Sequence, residues 1–297
     1  MSSVPDDDVL HRFLLEKSGV RGVLVRLDET WQSVRSRADY PPALAQLLGE
    51  TLAAAALFTG HAKVEGRLSI QLKGQGALRT LFAECTRAGT MRGLARWQEP
   101  LPSALTPREL GEQTLLAITI ESAPQPGREP TRYQGLVGLD ADSLGDAFET
   151  YFKQSEQLPT RLLLSADGRH AVGIMLQLLP GSEGDADAWP RAQALFDTLG
   201  PDELRLTPAA ELLYRLFHEE GVRLLASQPL EFGCSCSRER VGAMLLTLGH
   251  EEAFSALQGD VAEVICEFCN HHYRFDRVDM EQLFAGGGIE PGPATAQ

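Results

Sequence analysis

The sequence predicts an α+β fold. A mixed N-terminal domain of largely antiparallel sheet with helices is followed by a helical linker and a small C-terminal domain gathered around cysteines. Three observations carry this. Short apolar segments recur between residues 66 and 180, several alternating with polar residues at period two and most separated by glycines, the pattern of half-buried strands joined by turns. Stretches of helical period dominate residues 190–226. Four of the five cysteines fall after residue 233, in two tight pairs.

In chain order, residues 1–8 read as disordered and "RGVLVRLD" (21–28) as a strand. "YPPALAQLLGETLAAAALFTG" (40–60) is the clearest helix, with Pro41 and Pro42 near its start and Gly60 past its end. Its run Ala53 to Ala56 predicts close packing in the interior. Strands follow at 66–74, 77–85, 91–97, 114–121 and 133–140. In the first, Leu68, Ile70 and Leu72 alternate with polar residues. "GQGALR" (74–79) lacks the third glycine of a phosphate-binding loop and reads as a hairpin turn.

Residues 142–159 are helical through Leu144, Phe148, Tyr151 and Phe152, and "QSEQLPT" (154–160) reads as a capped helix end. "TRLLLSADGRHAVGIMLQLLP" (160–180) is a hairpin turning at "ADGR". The Gly- and Asp-rich "GSEGDADAWP" (181–190) marks a boundary. Two helices follow, the second with Thr207 as N-cap, Pro208 at N1 and Gly221 at its end. A further helical stretch, 237–258, lies between the cysteine pairs. The predicted organisation is therefore an N-terminal α+β domain (9–180), a helical linker (181–230), a C-terminal domain (231–285) and a flexible tail (286–297).

The cysteines form C-x-C (Cys234, Cys236) and, after 29 residues, C-x2-C (Cys266, Cys269). Four thiolates from two short loops can enclose a zinc ion tetrahedrally. An iron–sulfur cluster or a bare dithiol pair are the alternatives. An all-sulfur site leaves no place for a catalytic water, which argues against a hydrolytic enzyme. His271 and His272 stand close enough in sequence to replace a ligand. The C-x-C chelate is stiff, and Arg238 and Arg240 nearby favour the thiolate, the form that oxidants attack. Loss of the metal from so small a domain would unfold it. Residues alone leave a purely structural zinc site and a redox switch equally open. Cys85, at the end of a strand, reads as a lone buried thiol.

The net charge of −14 disfavours binding to phosphate backbones. The polar, acidic start is not a signal peptide, and no apolar run approaches the ~18 residues of a membrane span. A soluble cytoplasmic protein is expected, where paired cysteines serve as metal ligands or redox groups. There is no P-loop, G-x-S-x-G or H-E-x-x-H, so any work should be independent of ATP.

The chain resembles the 33-kilodalton heat-shock protein family over about residues 9–285. The likeness rests on "GETLAAAALF", "GRLSIQLKGQGALRTLFAEC", "MRGLARW", "YQGLVGL", "YFKQSEQLPT", "MLQLLP", "FGCSCSRERV" and "CEFCNHHYRFD". It departs at Gly173-Ile174, where family members often carry two adjacent glycines.

The resemblance implies a redox-regulated holdase chaperone, not an enzyme. In its reduced form one zinc is held by Cys234, Cys236, Cys266 and Cys269, and the protein is inactive. Oxidation pairs Cys234 with Cys236 and Cys266 with Cys269 and releases the zinc. The C-terminal domain and linker then unfold, the protein dimerises, and it binds unfolded clients without ATP. The apolar linker residues Leu195, Phe196, Leu199, Leu212, Leu213, Leu216 and Phe217 suit such a role: packed on the sheet domain when reduced, exposed when released.

Competing readings are a structural zinc-domain protein, a nucleic-acid-binding zinc factor and a thiol–disulfide oxidoreductase using Cys266 and Cys269. The second is disfavoured because residues 231–297 carry four Arg and no Lys against eleven Asp plus Glu. The third lacks a thioredoxin-like βαβ setting.

Overall fold

A computed structural model describes residues 7–62, 65–111, 113–123, 130–179 and 186–286. Of the start expected to be disordered, 1–8, residues 1–6 lie outside the described residues, as do most of the tail and the first half of the boundary segment 181–190; Asp8 is ordered, its carboxylate accepting from the N–H groups of Asp28, Glu29 and Thr30. The chain divides after Gly233 into two compact units.

The first unit is built around one buried helix. β1 (Val9–Leu15) and β2 (Val20–Leu27) form a hairpin, followed by the short α1 (Glu29–Arg35) and the long α2 (Pro42–Ala62). The meander β3 (Gly66–Lys73), β4 (Leu78–Thr86), β5 (Thr90–Trp97) comes next, then β6 (Leu115–Ser122) and β7 (Arg132–Val137). α3 (Leu144–Tyr151) leads to the hairpin β8 (Thr160–Ala166), β9 (Ala171–Leu178). α4 (Ala188–Phe196), α5 (Pro201–Leu206) and α6 (Ala209–Phe217) precede β10 (Val222–Pro229) and β11 (Glu231–Phe232).

These strands make two sheets, ordered β10-β1-β2-β9-β8 and β11-β5-β4-β3-β6-β7; only the β11–β5 pair is parallel. The α+β class and the largely antiparallel sheet expected from the sequence are therefore observed. α2 lies between the sheets, and one continuous apolar core joins its Leu48, Leu52 and Leu57 to Val25 and Met175 on one sheet and Ile70 and Leu81 on the other. A helix apolar on all sides needs such a setting. Ala53 to Ala56 are fully buried, and at Gly49 a Cβ would lie 2.6 Å from the Ala166 methyl. By length and composition α2 could cross a membrane, yet 83% of its apolar window is buried inside the unit.

The opposite face of the first sheet carries a second core. Phe13, Leu24, Val172 and Ile174 there receive Phe196, Leu212, Leu213 and Phe217 from α4 and α6. Ile174, at the departure noted above, is a fully buried member of this contact. Arg26 of β2 donates to the carbonyls of Leu204, Arg205 and Thr207, satisfying the carbonyl end of α5.

Several elements differ from expectation. Residues 222–229, within the segment 181–230 read as a helical linker, form β10. Gly221, at φ +71°, ends the helical segment, and β10 then pairs with β1 along the sheet edge. Its side chains are mostly exposed, so no periodicity betrays it. Thr207 does not cap α6: Pro208 holds the cap position and Thr207 ends α5. β1 and α1 carry no pattern that predicted them, whereas α5 falls within the helical stretch 190–226 as a separate short helix. The segment at "QSEQLPT" is a helix end as expected, but one of π type over Phe152–Glu156, closed by Gln157 at φ +57°.

The second unit contains α7 (Arg238–Leu248), α8 (His250–Ser255), the hairpin β12 (Val261–Ile265), β13 (His272–Asp276), and α9 (Arg277–Gly286). The single helix expected over 237–258 is broken at Gly249, φ +87°. The buried core here is small: Leu245, Ala253, Tyr273, Phe275 and Met280.

Candidate metal centre

Two short segments deliver the four sulfurs. Cys234 and Cys236 lie in extended chain just before α7, whose N-terminus is capped by the Ser237 hydroxyl accepting from Arg240 N–H at 3.3 Å. Cys266 and Cys269 sit in the turn joining β12 to β13. There the Asn270 N–H donates to the Cys266 carbonyl at 2.8 Å, and the Cys266 N–H donates to the His271 carbonyl at 2.9 Å. Asn270, at φ +56°, closes the turn, a conformation asparagine tolerates better than most residues.

All four sulfurs lie within 4.8 Å of one another, and all are half-buried free thiols. The shortest approaches run between the pairs: Cys234 to Cys266 at 3.6 Å and Cys236 to Cys269 at 3.3 Å. Among the described residues no histidine or carboxylate joins this group. His271 instead packs edge-on against Tyr273, and the His272 Nδ1 lies 3.2 Å from the Glu263 carboxylate. A closed set of four soft donors fits zinc.

The electrostatics of the cluster suit a cation. Burial alone would raise the Cys236 thiol, but the Tyr273 hydroxyl, donating at 3.0 Å, and the neighbouring sulfurs bring it down to about 7. Burial and the adjacent sulfurs push Cys269 up to about 12, and burial likewise raises Cys234. Without a metal, Cys236 ionises most readily, while burial and hydrogen bonds from neighbouring sulfurs hold Cys234 and Cys269 protonated. A divalent cation among the four reverses that balance.

Arg238 and Arg240 do not supply the compensating charge. Arg238 donates to the Arg274 carbonyl and Asp279 and lies 4.2 Å over the Phe275 ring; Arg240 donates to the Ser235 carbonyl. Arg240 thereby bonds the residue that lies between Cys234 and Cys236. The residue that sequence reasoning missed is Tyr273. Its signal was the alternation of β13, in which Tyr273 and Phe275 point inward and their neighbours outward. Cys85, as expected, stands apart: it is buried in the first unit, and burial pushes its thiol up to about 12.

Residues 8–276 match a family model described as Hsp33 protein. A relative from Nitrosococcus oceani named "33 kDa chaperonin" is 46% identical over 278 residues, covering 93% of this chain and 94% of its own length. One of the same name from Pseudomonas fluorescens is 43% identical over 298 residues, covering 98% of each. In fold, the chain is similar to the crystal structure of the 33 kDa chaperonin of Thermotoga maritima, with a TM-score of 0.77 at 21% identity, covering 94% of this chain and 98% of that one.

Proposed function

The chain belongs to the Hsp33 family, whose relatives above are named chaperonins, and from that premise we propose that it is a redox-regulated, ATP-independent holdase of the cytoplasm. The observation that carries this reading is the convergence of four of the five cysteines, as free thiols, within 4.8 Å. Cys234, Cys236, Cys266 and Cys269 would hold one zinc ion, whose charge would keep the sulfurs as thiolates and whose bonds would tie the turn to the start of α7.

Oxidation is then the chemistry of the chain's own sulfurs. Peroxide takes two electrons from one thiolate, giving a sulfenic acid; a second thiolate displaces hydroxide from it and forms the disulfide. In the folded cluster each sulfur has several partners in reach. Once the unit loosens, the short loops Cys234–Cys236 and Cys266–Cys269 keep these partners together at the lowest entropic cost. The pairing within each motif is the one the resemblance implies, although the closest approaches in the reduced fold run between motifs. Each disulfide removes two thiolate donors and with them the hold on the ion.

The small core of the second unit cannot replace that cross-link. Its unfolding frees the segment before it, and α4–α6 expose Phe196, Leu212, Leu213 and Phe217 to unfolding client proteins and to a second copy of the chain. The test is a paired assay on reduced protein. Zinc and free thiols are counted and client light scattering is followed, before and after peroxide at mildly raised temperature. The expected result is release of one zinc, loss of four thiols and suppression of aggregation without ATP. Retained zinc with unchanged scattering would leave the cluster a purely structural site.

A further inference from the structure

Far from the cysteines in sequence, a cavity of about 420 Å³ opens in the first unit beside β1, β2, β10 and the C-terminal end of α2. Its polar lining includes Arg12, Arg21, His61, Glu65, Arg87 and Gln228. Arg21 donates through Nη2 to the His61 Nε2 at 2.7 Å and to the Gln177 Oε1 at 3.2 Å, while its buried Nε has no partner. Arg12 donates through Nε to the Gly60 carbonyl at 2.7 Å. Among the described residues, neither guanidinium meets a carboxylate. Glu65 is already paired with Arg87. Burial, then the charge of Arg21, pushes His61 down to about 3, so it faces Arg21 as a neutral acceptor.

A half-buried guanidinium without a counterion is costly, and proteins ordinarily pair it. The chain has 41 acidic residues against 27 basic ones, so the absence of a partner here is not for want of carboxylates. Three arginines against Glu65 leave the lining two positive charges in excess. That matches a dianion with more oxygens than a carboxylate offers. The planar guanidinium fork suits such groups.

We propose that this niche binds a tetrahedral dianionic oxyanion, a phosphate group or its sulfate analogue, with Arg12 and Arg21 as its direct partners and His61 and Gln177 orienting Arg21. The cavity exceeds one such ion and lies within the usual range for small-molecule sites, ~300–1,000 Å³, so it also admits the group on a small carrier. Leu225 and Gln228 of β10 share the lining, and Gln228 donates to the Arg87 carbonyl at 2.7 Å. Gln228 thus ties β10 to the turn between β4 and β5 at the edge of the cavity. The site is independent of the cysteine chemistry.

The test is calorimetric titration of the full, reduced chain at constant ionic strength with inorganic phosphate, glycerol phosphate and acetate, together with thermal melts. The expected result is saturable binding of the two phosphates, with a raised melting midpoint, and none of acetate. Arg21→Gln and Arg12→Gln should each weaken phosphate by about tenfold or more; Arg12→Gln, at a less embedded position, serves if the other variant does not fold. A tighter phosphomonoester points to a carrier, and equal affinities to the free ion. No saturable phosphate binding, equal binding of acetate, or wild-type affinity in the folded variants would overturn the proposal.

Discussion

Cys236 is the sulfur most disposed to ionise because Tyr273 donates to it, and that bond also ties the cluster to the small core of its unit, where Tyr273 is itself buried. Cys236 is thus both a member of the sulfur cluster and a strut of the fold, and Cys266 also packs against that core. Cys266→Ser should lose stoichiometric zinc and lower the melting of the second unit even without oxidant; a variant with one bound zinc and an unchanged melt would show that Cys266 is not a ligand. In the first unit, His61 makes a pH prediction. Its folded pKa of about 3 lies below its ordinary 6.5, so the unfolded chain binds the extra proton between those values. The stability it contributes is complete above pH 6.5 and is lost as pH falls toward 3. Glu50, raised to about 7 chiefly by burial, has the opposite slope between 4.5 and 7. The difference between wild type and His61→Gln isolates the histidine: denaturant melts of the variant should lose less stability on acidification through that window.

At the scale of elements, the decisive contact is the docking of α4–α6 on the outer face of the β10-β1-β2-β9-β8 sheet. Phe217 is fully buried there, its ring centroid 6.4 Å from that of Phe13. Arg26 caps α5 from the sheet, and Arg191 of α4 holds the buried Glu220, whose carboxyl this bond lowers. Phe217→Ala removes a large buried ring, at a cost of about 3–5 kcal/mol. It should lower the melting midpoint and produce aggregation suppression in the reduced protein. A variant that melts early yet remains inactive before oxidation would separate this surface from client binding. The apolar stripes of α4 and α6 were legible in the sequence because helical period reports a one-sided burial. β10 was not, because an edge strand with exposed side chains has no periodic face to report.

For the whole molecule, both large apolar cores lie before Gly233. Deleting residues 234–297 should therefore leave the first unit folded, with its sheet signature in circular dichroism and a cooperative melt; an unfolded product would refute the division. Removing zinc with a chelator should melt the second unit and spare the core around α2. The acidic balance, 41 acidic residues against 27 basic, suits a protein that must stay soluble while holding apolar clients.

The sequence by itself determined what is local. The strand alternation at Leu68, Ile70 and Leu72, the Ala53–Ala56 run that requires an enclosed helix, and the two cysteine spacings each express a constraint within a few residues. Tertiary structure alone decided what depends on distant partners. β10 became a strand because β1 offered it an unpaired edge about 200 residues earlier. Arg26 became the cap of α5 across 178–181 residues of chain, and Tyr273 a hydrogen-bond donor to Cys236. Arg238 found its partners in the Arg274 carbonyl and Asp279, and Arg240 in the Ser235 carbonyl. Local periodicity records which face of a segment avoids water. It does not record which backbone edge, carbonyl or sulfur the folded chain brings within hydrogen-bond reach.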